Sequence, residues 1–508
     1  MVELEEEIRS ESAKLINRYQ AYAQNLHDEM ERRTRRTGVP HSKTILIPKY
    51  WSFDRGFNPF KVRPKAAKIA RALRQAIRKE EYEPRCAAVY TVPKADGTPR
   101  DVAVFQVADN ALSRLIYRKL TARNTARLSP RCYAYRRDVS LHDAVFHAAS
   151  EFRRDIRLFV AEFDIRKFFD TLAHEHILRV LTDGRFLSTR QERQIIQAFL
   201  RSRVQGAGPY TASGGTPRER GVPQGTSISL FLANLAGFPL DRALERLGVG
   251  FVRFADDTLI WSNDYSELCR GVDALNEAAR QMGVDINLQK SEGISLLAEE
   301  GERTEFKSKT CIDFLGYSIA KRRISLRASF IERAKDRISY LAYANLLQPL
   351  RHGHFVPQRF RPPFDRDYYV MVLQIRRYLY GDLNESRLRR FLAGMVPRMH
   401  FKGLLSACPL VDDVALLKEL DGWMLQTVHQ CLAARSRLLA ARGFSRLPLP
   451  HSLPPKRLLT FRTRSTSGAP LDLRLPSFVR MGSTLLKAAR VHGPSSVARP
   501  VRGSGYGY

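Results

Sequence analysis

Residues 251–263 read FVRFADDTLIWSN. Aromatic and β-branched residues run through the segment, which predicts strand. Asp256 and Asp257 interrupt that run side by side. Neighbouring carboxylates repel each other, and a buried strand offers little water to screen them. Either the pair sits in a solvated turn, or a cation offsets the repulsion. Any fold this chain adopts must bring a strand hairpin to an edge where two acids can stand together.

A second run, IRLFVAEFDI (156–165), reads as a buried strand ending in Asp164. Carboxylates from separate strands at one sheet edge suit a pair of divalent ions. One ion lowers the pKa of an attacking hydroxyl, and the other steadies a leaving phosphate. Magnesium prefers such hard oxygen ligands. Spacing alone leaves the solvated-turn reading open.

The charge balance points the same way. Lys and Arg number 84 against 52 Asp and Glu, a formal net charge of +32, which suggests a polyanionic partner such as nucleic acid. A basic composition inherited from an Arg-rich genome is the bland alternative. With 44% hydrophobic residues the chain can bury a large core, so global disorder is excluded. The six cysteines form no C-x-x-C pair, so structural zinc is not expected and a reducing compartment is. The start, MVELEEEIRS, lacks a signal-peptide core, and no apolar run reaches about 18 residues. The expectation is a soluble, cytoplasmic protein without a membrane partner.

The patterning predicts an α+β chain in four parts: an N-terminal helical and loop extension (1–64), a mixed unit (65–325), a helical unit (326–445) and a basic extension (446–508). Residues 1–35 read as a charged helix, 87–105 as a hairpin, 108–128, 140–153 and 266–282 as helices. Leu417, Leu420, Met424, Val428 and Cys431 mark one apolar helical stripe.

FDIRKFFD, GVPQGTSISLFLANL, RFADDTLIW, INLQKSE and FLGYSI occur in that order, behind VPKADGTPRDV. They resemble motifs A to E of reverse transcriptases and the fingers hairpin upstream of them, over about residues 87–325. Within that family the chain resembles the group II intron-like branch. WSFDRGFNPFKVR and RRYLYGDLNESRLRRFL resemble the bacterial defence-associated (antiviral, "unknown group") members. Phe254 stands where many group II relatives carry Tyr, and the NAxxH and VTG segments of retron enzymes are absent.

The resemblance implies a right-hand polymerase fold of fingers, palm and α-helical thumb. It implies RNA-directed DNA synthesis from dNTPs with two Mg²⁺ ions, which Mn²⁺ could replace. Asp164 and Asp256 match the metal-binding aspartates, Asp257 the supporting one, and Ile165 would lend a backbone carbonyl. Phe169 matches the steric gate that clashes with a ribose 2′-hydroxyl; its bland reading is core. Gln224 and Gly225 match the nucleotide-contacting loop, though Pro-Gln-Gly could serve a turn alone. Lys94 and Arg100 match the pair that clamps the triphosphate, and Lys290 a proton donor to pyrophosphate; each could be a solvated cation. Phe314, Leu315, Gly316 and Tyr317 match the primer grip.

By the same resemblance the partners are a structured non-coding RNA template, the DNA product and dNTPs, with a homo-oligomer or an effector protein open, in a bacterial antiphage role. Two alternatives stay open: untemplated or protein-primed synthesis by the same site, with Tyr506 or Tyr508 as primer, and a non-catalytic RNA-binding scaffold. The tail from 451 carries ten basic residues and one acid, Asp472, and reads as RNA contact, disordered end or primer carrier. The apolar periodicity of LPSFVRMGSTLLKAARVHG predicts that part of it folds back.

Overall fold

The computed structural model describes residues 2–93, 99–153, 157–206, 210–211, 214–287, 291, 293–381, 383–399, 401–465 and 468–497. The run around the aspartate pair forms a hairpin, Gly250–Phe254 antiparallel to Asp257–Ser262. Leu158–Phe163 lies antiparallel beside the second strand, with Phe163 opposite Thr258. Gly293–Leu297 covers its other edge, and Ser308–Lys309 completes five strands in the order 308–309, 293–297, 158–163, 257–262, 250–254.

Successive side chains on a strand point to opposite faces, and here each face feeds a different core. Leu158, Val160, Val252, Leu259 and Trp261 enter one apolar cluster; Phe159, Ala161, Phe163, Phe251 and Ile260 enter the other. Because both faces are covered, these strands read as continuous apolar runs rather than as strict alternation. The second cluster is built on Ile228–Leu247, a helix buried along nearly its whole length, and on Val107–Asn124 and Tyr265–Met282. A separate hairpin, Ala87–Pro93 with Pro99–Val104, stands beside this body.

The N-terminal helix Val2–Thr37 buries Leu4, Ile8 and Ile16. Its charge is part of its docking: Glu7 accepts from Arg114 and Arg118, and Glu11 from Arg114.

The first cluster continues from the sheet into the C-terminal half. Phe314, Tyr317 and Ile319 share it with Phe330, Tyr368, Phe391, Met424, Phe478 and Leu485. Position 325 therefore marks where strands give way to helices and 445 falls in the loop after the helix Val414–Ala440, while the core runs across both. Within Val414–Ala440 the buried stripe is Leu417, Leu420, Met424 and Val428, then Leu432, Arg435 and Leu439. Cys431, expected in the stripe, is only half-buried, because a step of four after Val428 reaches Leu432. The tail folds back through the hairpin Arg462–Arg464 with Pro470–Asp472 and the helix Phe478–His492. Gly482 makes that docking possible: a Cβ there would lie 2.8 Å from a Leu417 methyl. Among the described residues, no helix is long and apolar enough to cross a membrane.

Candidate active site

The strand register gathers the three aspartates. Asp164 follows Phe163, and Asp257 precedes Thr258, the residue paired with Phe163. The two therefore directly follow and precede the last pair of that ladder, Phe163–Thr258. Asp256 occupies the two-residue turn of the hairpin after Ala255, whose φ is +61°. A positive φ at the first turn residue alone suits a type II′ turn and normally calls for glycine. With alanine there the turn stores roughly 1–3 kcal/mol of strain, which the surroundings must offset.

The offset comes from Arg253, fully buried beneath the turn. Its Nε and Nη2 donate to Asp241 Oδ1 and Oδ2, both at 2.6 Å, and Nη1 reaches the Ala255 carbonyl at 3.3 Å. Burial works against the charge of Arg253, and the Asp241 carboxylate nonetheless holds it above its ordinary value. Space for the guanidinium comes from Gly237, where a Cβ would stand 2.6 Å from it.

Asp164 is held by the INLQKSE segment. Asn287 donates its backbone N–H to the Asp164 carbonyl (2.8 Å) and its side-chain amide to Asp164 Oδ2 (2.9 Å). The Asp164 N–H donates to Ser291 Oγ at 3.3 Å. Ile165 pairs with Ile286 and buries its side chain. Among the described residues no three His, Cys, Asp or Glu side chains come together as a group that could hold a metal ion by themselves. Magnesium keeps several waters and takes one or two carboxylates plus substrate phosphates. An open edge carrying Asp164, Asp256 and Asp257 fits that donor chemistry.

The Pro-Gln-Gly loop joins this edge to the separate hairpin. The Gln224 carbonyl accepts from Ala103 N at 3.0 Å, and its side chain donates to Asp170 Oδ1 at 2.7 Å. Gly225 has φ +114°, and a Cβ would lie 2.4 Å from the Ala103 carbonyl oxygen, so glycine is required by both conformation and space. Val222 N and Gly221 N donate to the carbonyls of Phe169 and Leu172, both at 2.7 Å. Phe169, 8% exposed, is thus fixed in the short helix Phe168–Thr171. Its ring meets Tyr135 edge-on at 6.3 Å, and Tyr135 lies 6.4 Å from Phe254.

The segment 314–317 is a hairpin tip between Cys311–Phe314 and Tyr317–Ala320. Leu315 and Gly316 both have positive φ (49° and 87°), the pattern of a type I′ turn. Phe314 and Tyr317 point into the core, and the Tyr317 hydroxyl meets His142 Nδ1 at 2.8 Å. Burial pushes His142 down to about 4. Only Leu315 and Gly316 are left at the surface of the tip.

Lys94, Lys290, Tyr506 and Tyr508 lie outside the described residues, as does the side chain of Arg100; its backbone pairs with Val92. Sequence reasoning missed Asn287, Ser291, Arg253, Asp241 and Tyr135. The first three lie inside or beside quoted motifs, so their position was a signal; Asp241 and Tyr135 carried none.

Residues 92–319 match the family model described as reverse transcriptase (RNA-dependent DNA polymerase), which supports that family for the segment holding the whole site. No curated protein matches the chain. Similar solved structures include the telomerase of Candida albicans, solved with a TWJ fragment of telomeric RNA (12% identity, TM-score 0.37, 76% of this chain and 66% of that one). Another is the apo telomerase of Candida tropicalis truncated from its C-terminal domain (13% identity, TM-score 0.36, 51% and 60%). The chain thus spans 66% and 60% of the length of these two solved chains, under two thirds of each.

Proposed function

We propose that this chain is an RNA-directed DNA polymerase that extends a primer 3′-hydroxyl with deoxynucleotides. The observation that supports the reading is that Asp164 and Asp257 directly follow and precede the last ladder pair, Phe163–Thr258, with Asp256 in the adjoining turn. The family match over 92–319 supports it. Two Mg²⁺ ions on these carboxylates would activate the attacking hydroxyl and neutralise developing phosphate charge. Asn287 orients the Asp164 carboxylate, and Arg253 supports the turn that carries Asp256. Gln224 and Gly225 would line the nucleotide, with Gln224 anchored on Asp170. Lys94 and Arg100 would hold the triphosphate. Phe169 would exclude a 2′-hydroxyl, since its backbone is tied to Val222 and cannot withdraw freely. The helices after residue 326 would follow the product duplex through phosphate contacts.

We further propose a bacterial antiphage role with a non-coding RNA template, supported by the sequence resemblance of 51–63 and 376–392 alone. The test is incubation of the full chain with primed RNA, dNTPs and Mg²⁺. The expected product is DNA complementary to the template, lost when the RNA is digested beforehand. Incorporation that survives digestion would point to untemplated synthesis. Phe169→Ala is expected to admit ribonucleotides at least tenfold better, read by competition between NTP and dNTP.

A further inference from the structure

Between Arg55 and Lys79 the chain carries nine Lys and Arg and no Asp or Glu. The helix Ala66–Arg78 closes this segment. One face packs inward: Ala66 and Ala70 are buried, and Ile69, Leu73 and Ile77 pack against the same core. The opposite face exposes Lys65, Lys68, Arg71, Gln75 and Arg78, spaced by three or four residues and so in one row. Thirteen residues give that row a length of about 20 Å.

The acids that could neutralise it are committed elsewhere. Glu7 and Glu11 of the N-terminal helix pair with Arg114 and Arg118, and Glu80 pairs with Arg190. Among the described residues, Lys65, Lys68, Arg71 and Arg78 make no ion pair. Four cations held in a row without counter-charges repel one another, and a polyanion relieves this.

Three observations narrow the polyanion. The apolar face of the helix is spent on the core, so nothing remains to insert into a bilayer, as a surface-seeking amphipathic helix requires. The row holds no aromatic side chain, so it lacks the stacking platforms that grip single strands. The helix packs chiefly on Val2–Thr37 and Arg190–Leu200, away from the aspartate-bearing sheet. What remains is recognition of a regular phosphate backbone by charge and shape.

We propose that Lys65, Lys68, Arg71 and Arg78 form a docking row for the phosphate backbone of a double-helical RNA stem, apart from the catalytic edge. The choice of RNA rests on the polymerase reading above. The row would hold a folded template RNA by its stem while an unpaired stretch reaches Asp164 and Asp256.

The test measures binding of the full chain to a fluorescent 20-base-pair RNA hairpin over a KCl series, without dNTPs. One variant carries Lys65→Gln, Lys68→Gln, Arg71→Gln and Arg78→Gln. A charge-matched variant carries Arg246→Gln, Arg270→Gln, Arg280→Gln and Arg303→Gln, all exposed positions elsewhere and before residue 326. The row variant is expected to bind at least tenfold more weakly, with a log–log salt slope shallower by about 3. The charge-matched variant should bind within about threefold of wild type, and Lys65→Arg with Lys68→Arg should retain affinity. Equal losses in both Gln variants, or no loss in either, would overturn the proposal. So would a row variant that keeps the hairpin but loses phosphatidylserine vesicles. Failure of primer extension with hairpin binding intact would count against the polymerase reading and leave the row standing.

Discussion

Arg253 and Arg435 are both fully buried, and their settings differ. Arg435 is over-determined. It donates to Asp365 Oδ2 at 2.7 Å, Asp367 Oδ2 at 3.0 Å and the Leu346 carbonyl at 2.8 Å, between the rings of Phe355 and Phe360. His451 meets the same Asp365 oxygen at 3.0 Å. Four chain segments converge there, and none carries a proposed site residue. Arg253 has one carboxylate partner and spends a further N–H on the carbonyl of Ala255, next to Asp256. The same chemistry thus ties the C-terminal helices together in one place and steadies a strained turn in the other. A buried ion pair does not announce its role; the backbone group it also touches does.

The comparison breaks most visibly at Arg435. Arg435→Met would leave buried Asp365 with His451 and Asp367 with Arg359 as their remaining side-chain partners and strip both of the shared guanidinium, a loss of about 3 kcal/mol. Chemical denaturation should show it, while protein still folded at low temperature should extend primers at wild-type rate. A selective loss of activity would erase the distinction between the two sites.

Asp109 sharpens the comparison as a buried acid whose partners are the Tyr82 hydroxyl and the Arg85 backbone N–H. At Asp365, burial acts against the charge, but His451 and Arg435 hold the carboxyl below its ordinary value. At Asp109 burial wins and pushes the carboxyl up to about 6. The folded state then binds its proton more tightly than the unfolded state. That contribution is fully present below the ordinary value of 3.8 and is lost as pH rises through about 6. The shift corresponds to about 3 kcal/mol. Asp109→Asn should flatten the stability profile across that window, measured by denaturation at several pH values; an unchanged slope would remove Asp109 from the account.

The smallest effect is the most specific. Arg253→Met combined with Asp241→Leu removes both buried charges and should recover most of the stability that Arg253→Met alone loses. The Ala255 carbonyl would still lack its donor, so kcat should stay down by about tenfold, roughly 1.4 kcal/mol. Recovery of kcat along with stability would make Arg253 a purely structural residue.

The strands bearing the aspartates were legible because a buried sheet writes its apolar runs locally, and the Pro-Gln-Gly loop because its glycine answers a local backbone demand. Asn287 and Arg253 sat within view, yet their partners lie 123 and 12 positions away, in Asp164 and Asp241. Periodicity cannot report such pairings. The same limit explains Phe314 and Tyr317: both stood in the expected tip, but the Tyr317 hydroxyl is drawn inward by His142, 175 residues earlier. The stripe through Met424 was readable to Val428; beyond Leu432 it includes Arg435, whose burial depends on Asp365 and Asp367 from another segment. Where the core crosses positions 325 and 445, composition changed while packing did not.

The central claim is that the edge holding Asp164, Asp256 and Asp257 makes DNA. Its most direct test is primer extension on an RNA template with dNTPs, comparing the full wild-type chain with Asp256→Asn and Asp257→Asn. Loss of about 4 kcal/mol of charge stabilisation predicts a fall of about a thousandfold for Asp256→Asn, with a smaller fall for Asp257→Asn. Incorporation by Asp256→Asn at the wild-type rate would contradict the account.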